Sequence, residues 1–397
     1  MSATPPSPGS NPPILPDYRG ACLATLVPAL LSGSAGGSAG GNGNGTADRT
    51  PDWLPAPARQ ARQIVLLIVD GLGWQQLTAR RQLAPTLTGA AGIERSITSV
   101  APTTTACALT SIATGRPPAD HGLLGYRLAA PHDEILNALR WTVGVRRARD
   151  ARQEFPASSY QPYPPFPGAT RPVPVVSRGE FGGTGFTAAH LGSSPLAGYK
   201  VTSSLVVEVR RLLAAGEPFV YAYYDGIDKV AHEHGLGPYY DAELQTVDRL
   251  VGDIASALEP GAVLVVSADH GQINVGTNVE VLGREVMAAT RFLSGEGRFR
   301  WLHATPGAAD DLLAIVTERY RDTTWVMSRD QLVDEGWFGG LLRDGVVDRL
   351  GDVALIPHAP VAFLDPADAG ETTLAARHGS LTADEMLVPL VAIGGKI

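Results

Sequence analysis

The chain has 397 residues and a mass of 41.7 kDa; 44% of the residues are hydrophobic and 18% charged, which suits a large packed core and excludes wholesale disorder. With 32 basic against 40 acidic residues the formal charge is −8, which speaks against a general nucleic-acid-binding role. Only Cys22 and Cys107 are cysteines, so neither a disulfide scaffold nor a thiolate zinc cluster is available, and any metal must sit on Asp, Glu and His.

Residues 1–62 read as an N-terminal extension. Ala21 to Leu31 is apolar but only eleven residues long. That is too short to span a bilayer, which needs about 20. It reads as a short helix packed on the body. A signal-peptide core is the alternative, opposed by the absence of basic residues from Met1 to Tyr18 and by Pro28 inside the apolar run. No other stretch is a membrane-span candidate, so no membrane partner and a cytoplasmic location are expected, with secretion the second reading. Ser32 to Thr46 has seven glycines in fifteen residues and reads as a mobile linker.

Residues 63–397 read as one large domain. Ile64 to Val69 is a continuous apolar run ending at Asp70-Gly71, as a buried parallel strand should be. Pro102 to Thr105 leads a small, apolar helix that stops at Gly115. Pro156 to Pro174 holds seven prolines in nineteen residues, with Tyr160, Tyr163 and Phe166 among them, and so is neither helix nor central strand. It reads as a stiff segment laid over the core or as a long connector, within an insertion over about 127–200. Pro218–Asp225 and Ala262–Asp269 are further strands running into acidic residues, and Leu244, Val247, Leu250, Val251, Ile254 and Leu258 mark a helix between them. Leu205–Ala215 and Asp310–Tyr320 read as helices, Thr324–Met327 and Val353–Pro357 as short strands. The expected fold is α/β, a mostly parallel central sheet with helices on both faces and a small inserted cap. In such sheets functional residues collect at the carboxyl ends of strands.

Five local signals carry chemistry. Asp70 at a strand end before two glycines is either a turn residue or a carboxylate presented at the sheet edge. A threonine at the helix start near Thr105 is either an N-cap or a nucleophile facing the positive end of the helix dipole. Asp228 and His232, four apart, project to one side of a helical turn and can reach one ion, with Asp225, Glu233 and His234 as competitors. Asp269-His270-Gly271 ends a strand, where both side chains can converge. His378-Gly379 precedes a capping-box pattern, Thr382 to Glu385. His121, His132, His190, His303 and His358 lack such settings and read as surface or supporting residues.

Taken in order, these motifs resemble the alkaline phosphatase superfamily, and within it the nucleotide pyrophosphatase/phosphodiesterase branch. The resemblance rests on Asp70-Gly71, Pro102 to Thr105 through Thr114-Gly115, and Pro118-Ala-Asp-His121-Gly122. It continues through Asp228 to Gly235, Asp269-His270-Gly271 and His378-Gly379, and spans Ile64 to Leu390. It implies that 63–397 is the catalytic domain. It also implies two Zn²⁺ per chain, one on Asp228, His232 and His378, the other on Asp70, Asp269 and His270, with Thr105 as nucleophile and further ligand. The implied activity is hydrolysis of a phosphodiester through a covalent phospho-threonine, on a small phosphate-ester substrate rather than a nucleic-acid polymer.

Two positions depart from the branch. Tyr126 stands where a phosphate-binding Asn is usual, which makes it a substrate-binding candidate or a core aromatic. Ala106 replaces the aromatic that stacks on a nucleobase. The alternatives are therefore a phosphomonoesterase or a phosphonate hydrolase of the same superfamily and, in a different class, an inactive metal-binding module. The sequence gives no oligomeric state.

Overall fold

Six consecutive buried residues, Ile64 to Val69, point alternately to opposite faces of β1 (Gln63–Val69), so both faces of its sheet are covered. The computed structural model describes residues 12–34, 51–144, 148–368 and 373–395. With β1, the strands β2 (Ser96–Thr98), β3 (Val175–Arg178), β4 (Leu196–Tyr199), β5 (Phe219–Tyr224), β6 (Ala262–Ser267) and β7 (Leu387–Gly394) form a seven-stranded sheet in the order β2-β7-β6-β1-β5-β3-β4. From β6 to β4 every pairing is parallel; β7 and β2 extend one edge antiparallel. This is the mostly parallel α/β architecture expected. Asp70, Asp225 and Asp269 follow the carboxyl ends of β1, β5 and β6.

The helices α1 (Leu23–Ser34), α2 (Thr105–Thr114), α3 (Gly226–His234) and α4 (Pro238–Ala255) pack around the sheet. The apolar run near the N-terminus is indeed a buried helix, seated on α2. It continues through Ser34, so the linker expected over 32–46 begins later, and its remaining residues lie outside those described. Among the described residues no helix is long and apolar enough to cross a membrane.

Only the first part of the segment 127–200 stands apart from the sheet. Arg127–Ala130, Glu134–Asn137, Thr142–Val143 and Arg149–Asp150 make a separate antiparallel sheet, whereas β3 and β4 belong to the central one. The Pro-rich stretch is laid on the core: Tyr160 packs edge-on to Trp141 at 6.0 Å, and Phe166 meets Tyr221 at 5.6 Å. A larger departure lies C-terminal to β6. The strands at 324–328 and 353–357 do not extend the parallel sheet. They join Thr290–Glu296 and Phe299–Ala304 in a four-stranded antiparallel sheet, backed by the helix Ala309–Tyr320. This unit has a core of its own around Leu282, Leu312, Val316, Tyr320 and Phe363.

Candidate metal centre

The turn after β1 needs glycine at 71: its φ is +74°, and a Cβ would lie 2.4 Å from the Gln272 amide nitrogen. The turn in exchange aims Gly71 N–H at Asp269 Oδ1, 3.1 Å away, where His270 N–H also donates at 3.0 Å. Asp269 Oδ2 is left buried without a hydrogen-bond partner among the described residues. Asp70 is arranged in the same way. The Tyr223 hydroxyl donates to its Oδ2, and Oδ1 is left buried and unpartnered.

Both orphaned oxygens face His270 Nε2, at 3.4 Å from Asp70 and 3.3 Å from Asp269. His270 Nδ1 lies 3.1 Å from the Gly271 carbonyl, which only accepts, so the ring proton is on Nδ1 and Nε2 presents a lone pair. Three potential metal-donor atoms thus converge. That donor set fits a cation and little else. The other two histidines are fixed alike, with His232 Nδ1 donating to Ala376 O at 2.8 Å and His378 Nδ1 to Thr103 O at 2.9 Å. Backbone acceptors of this kind set the tautomer and orientation of metal-binding imidazoles.

Asp228 and His232, one turn apart on α3, approach to 3.2 Å, and His378 Nε2 lies 3.9 Å from the same Asp228 oxygen. The Gln272 amide donates to that oxygen at 2.8 Å. His270 and His378 stack at 3.6 Å and join the two groups. Donor atoms of Asp70, Asp269 and His270 all lie within 4.8 Å of one another, as do those of Asp228, His270 and His378. His270 therefore stands between the clusters, and in the second it takes the place expected of His232, which reaches Asp228 from the helix side.

Burial, then the charges of Asp269 and Asp228, hold the Asp70 carboxyl well above its ordinary value. Burial likewise raises Asp228 and Asp269 and pushes His270 and His378 down. Three carboxylates crowded out of water and two neutral imidazoles are what a divalent cation stabilises.

Three consecutive threonines do three jobs. Thr103 Oγ1 donates to Ser380 O at 2.7 Å and accepts from Gly379 N–H at 3.0 Å, tying down the His378 loop. Thr104 is the N-cap residue of α2 but makes no side-chain cap bond. Thr105, the first residue of α2, places Oγ1 3.2 Å from His270 Nε2. Cys107 is a buried residue of the same helix. The His378 loop has a second anchor: Arg298, fully buried, grips Glu385 through two bonds of 2.7 Å, and Glu385 accepts from Ser380 N–H at 3.0 Å.

A cleft of about 410 Å³ opens over Thr105, Asp228, His232 and His378. Tyr126 lines it with its hydroxyl donating to Asp368, and Asn137, Arg140, Glu296 and Arg377 complete its walls. The structure thus brings all seven expected ligand and nucleophile positions together. It does not bring in their competitors. Asp225 is held by Arg178 at 2.7 Å and Lys229 at 2.6 Å, His234 stacks on Tyr239, and Glu233 faces solvent. His121, His190 and His303, read as surface or supporting residues, are buried and hydrogen-bonded, and burial pushes His121 and His303 down to about 3 and His190 to about 4. Sequence reasoning missed Tyr223, Gln272 and the cleft residues Asn137 and Arg140. Of these only Gln272 carried a signal, its place directly after Asp269-His270-Gly271.

The fold is that of an alkaline-phosphatase-like protein, with candidate metal ligands gathered at its strand ends. Residues 64–381 match the family model of type I phosphodiesterase / nucleotide pyrophosphatase, and the chain belongs to that family. Among solved structures it is similar to murine ectonucleotide pyrophosphatase / phosphodiesterase 5, an inactive form in complex with AMP, with a TM-score of 0.60 and 15% identity over 84% of this chain and 88% of that one. Phosphonoacetate hydrolase from Sinorhizobium meliloti, in complex with phosphonoformate, gives 0.59 and 19% over 85% and 91%. The human ectonucleotide pyrophosphatase / phosphodiesterase 5 gives 0.58 and 14% over 84% and 88%. No curated protein sequence matches the chain.

Proposed function

We propose that the protein is a zinc-dependent phosphodiesterase in which Thr105 is the nucleophile. The observation that carries this reading is the placement of Thr105 Oγ1 3.2 Å from His270 Nε2, which itself faces two unpartnered carboxylate oxygens. Asp70, Asp269 and His270 would hold one Zn²⁺ beside Thr105, and Asp228, His232 and His378 the other. Bound there, the two ions supply four positive charges against three aspartates, which favours loss of the Thr105 proton and stabilises negative charge on the leaving oxygen.

The chain's own part is positioning. The N-terminus of α2 directs its partial positive charge at Thr105 Oγ1 and favours the alkoxide. With its proton passed to water, Oγ1 forms a bond to phosphorus as the ester P–O bond opposite breaks, and the departing alkoxide takes a proton from water to leave as the alcohol. Water then attacks phosphorus, the P–Oγ1 bond breaks, and Thr105 is released. The three histidines, locked through Nδ1, hold their Nε2 atoms toward the site throughout.

Diesters are the preferred substrates in this reading. Ala106, Cys107, Ala108 and Leu109 after the nucleophile are buried and uncharged, with nothing to meet the extra charge of a monoester. More distant arginines are paired elsewhere: Arg116 with Asp120 at 3.5 Å, Arg127 with Asp365 at 2.6 Å and Arg178 with Asp225 at 2.7 Å. The cleft wall itself carries Arg140 and Arg377 together with Glu296 and Asp368. The test is kcat/KM for bis-p-nitrophenyl phosphate against p-nitrophenyl phosphate at one pH and zinc concentration. A preference for the monoester overturns the diester reading, and zinc uptake without turnover supports the inactive module. The likeness to phosphonoacetate hydrolase favours a second reading, phosphonate hydrolysis, which phosphonoacetate as substrate decides.

A further inference from the structure

Ahead of β1, and outside the residues that match the family model, the chain from Ile14 to Cys22 runs across two loops that meet at the metal centre. Ile14 N–H donates to Leu381 O at 3.0 Å, three residues beyond His378. Tyr18 reaches the other loop. Its hydroxyl has one proton, given to Trp337 O at 2.9 Å, and so accepts from Ala101 N–H at 3.2 Å, four residues before Thr105. Ala101 is fully buried, and its N–H has no other acceptor among the described residues. Burial holds the phenol well above its ordinary value, so the proton stays in place. Around Tyr18 the segment is fastened to the sheet edge, Asp17 N–H donating to Thr98 Oγ1 and Thr98 N–H to Ala21 O, each at 2.9 Å.

The two loops also grip each other, since Thr103 bonds both Gly379 and Ser380. Resting on the reading of Thr105 as nucleophile, we infer that Tyr18 is a positioning residue for it. The phenol touches no reacting atom; it fixes Ala101, and through Ala101 the entry to α2, where Thr105 stands. That entry needs an outside restraint, because α2 starts without a side-chain cap bond. The N-terminal extension meets the far end of α2 as well. There Gly115, at φ +64°, lies so close to α1 that a Cβ would be 2.6 Å from Pro28 Cγ. The nucleophile helix is thus held at both ends by residues that precede β1.

The experiment compares Tyr18→Phe with Thr25→Val in the zinc-loaded full chain, by hydrolysis of bis-p-nitrophenyl phosphate and by amide hydrogen exchange. Tyr18→Phe keeps the half-buried ring, so the fold should tolerate it. Thr25→Val loosens the same segment at Gly20 O and Cys22 O, to which Thr25 Oγ1 donates, and its side chain bonds to neither loop. Loss of the phenol should speed exchange of the Ala101 amide about tenfold, the worth of one buried hydrogen bond. It should lower kcat by about tenfold with KM changed less than about twofold, because a displaced nucleophile acts on the chemical step. Thr25→Val should leave kcat unchanged. An unchanged kcat in Tyr18→Phe, or an equal fall in both variants, overturns the positioning role. If the wild-type chain hydrolyses no diester, the phosphodiesterase reading falls by itself. The Ala101 exchange rate then decides whether Tyr18 holds the loop, and an unchanged rate overturns it.

Discussion

The two donor clusters are a ring stack apart, yet they are built to opposite rules. At the inner one the side chains of Asp70, Asp269 and His270 are 3%, 0% and 0% exposed, and the carboxylates are pinned by backbone amides and a phenol at the ends of adjacent strands. At the outer one, which shares His270, the side chains of Asp228 and His378 are 14% and 9% exposed, with His232 beside them at 22%, and they stand on a helix and a loop around the cleft. The same donor chemistry is sealed in one case and open in the other.

The largest effect expected is at the junction. Thr105→Ala should lower kcat by about 10⁴-fold or more, the range for loss of a nucleophile, with both clusters still binding zinc by elemental analysis. Loss of zinc along with activity would show that the inner cluster depends on Thr105 for its ion. Next, His232→Ala should weaken zinc binding by more than about 100-fold at the outer cluster alone, above the range for a supporting partner. Chelator titration of the wild-type protein should be biphasic for the same reason, the outer ion leaving first, and a single phase would erase the contrast. Tyr223→Phe removes only the phenol that orients Asp70 and should cost about tenfold in zinc affinity, confined to the inner cluster.

The smallest effect concerns pH. Burial raises the Asp269 carboxyl in the folded, metal-free chain, so the group costs stability above its unfolded value of about 3.9 and none below it. Asp269→Asn should therefore raise the metal-free Tm by a few degrees at pH 8, and the gain should vanish as pH falls toward 4. Saturating zinc should reverse the sign, since the asparagine loses a ligand. Thermal scans of both proteins at pH 4, 6 and 8, with and without zinc, check each part.

That contrast also marks how far the sequence could be read. Asp70, Asp269 and His270 were visible because a parallel strand writes itself as an unbroken apolar run, and its end is the place to look for chemistry. Asp228 and His232 were visible through helical spacing. His378 has a weaker frame, a His-Gly step before the capping-box pattern of Thr382 to Glu385, and gains its role only from the family order. The antiparallel unit C-terminal to β6 was misassigned because its strands at 324–328 and 353–357 are short, and strand–helix alternation looks the same whichever sheet the strands enter. The cleft walls were illegible for a different reason. Asn137, Arg140, Glu296, Asp368 and Arg377 come from different loops and sheets, and only tertiary structure brings them to one place.

The buried Arg298–Glu385 pair has a consequence for the order of assembly. Its partners are 87 residues apart in the chain, one in the hairpin of the antiparallel unit and one just before β7. A ribosome releases Asp70 and Thr105 early, but the loop carrying His378 gains its second anchor, beyond Thr103, only when both ends of that pair have emerged. Synthesis proceeds from the N-terminus at about 5–20 residues per second, so the inner ligands wait many seconds beside an unfinished outer half. A chain cut short before Glu385 would keep Asp70, Asp269 and His270 but lose the Glu385 carbonyl that accepts from Gly271 N–H, and its His378 loop would keep the Thr103 anchor without the second.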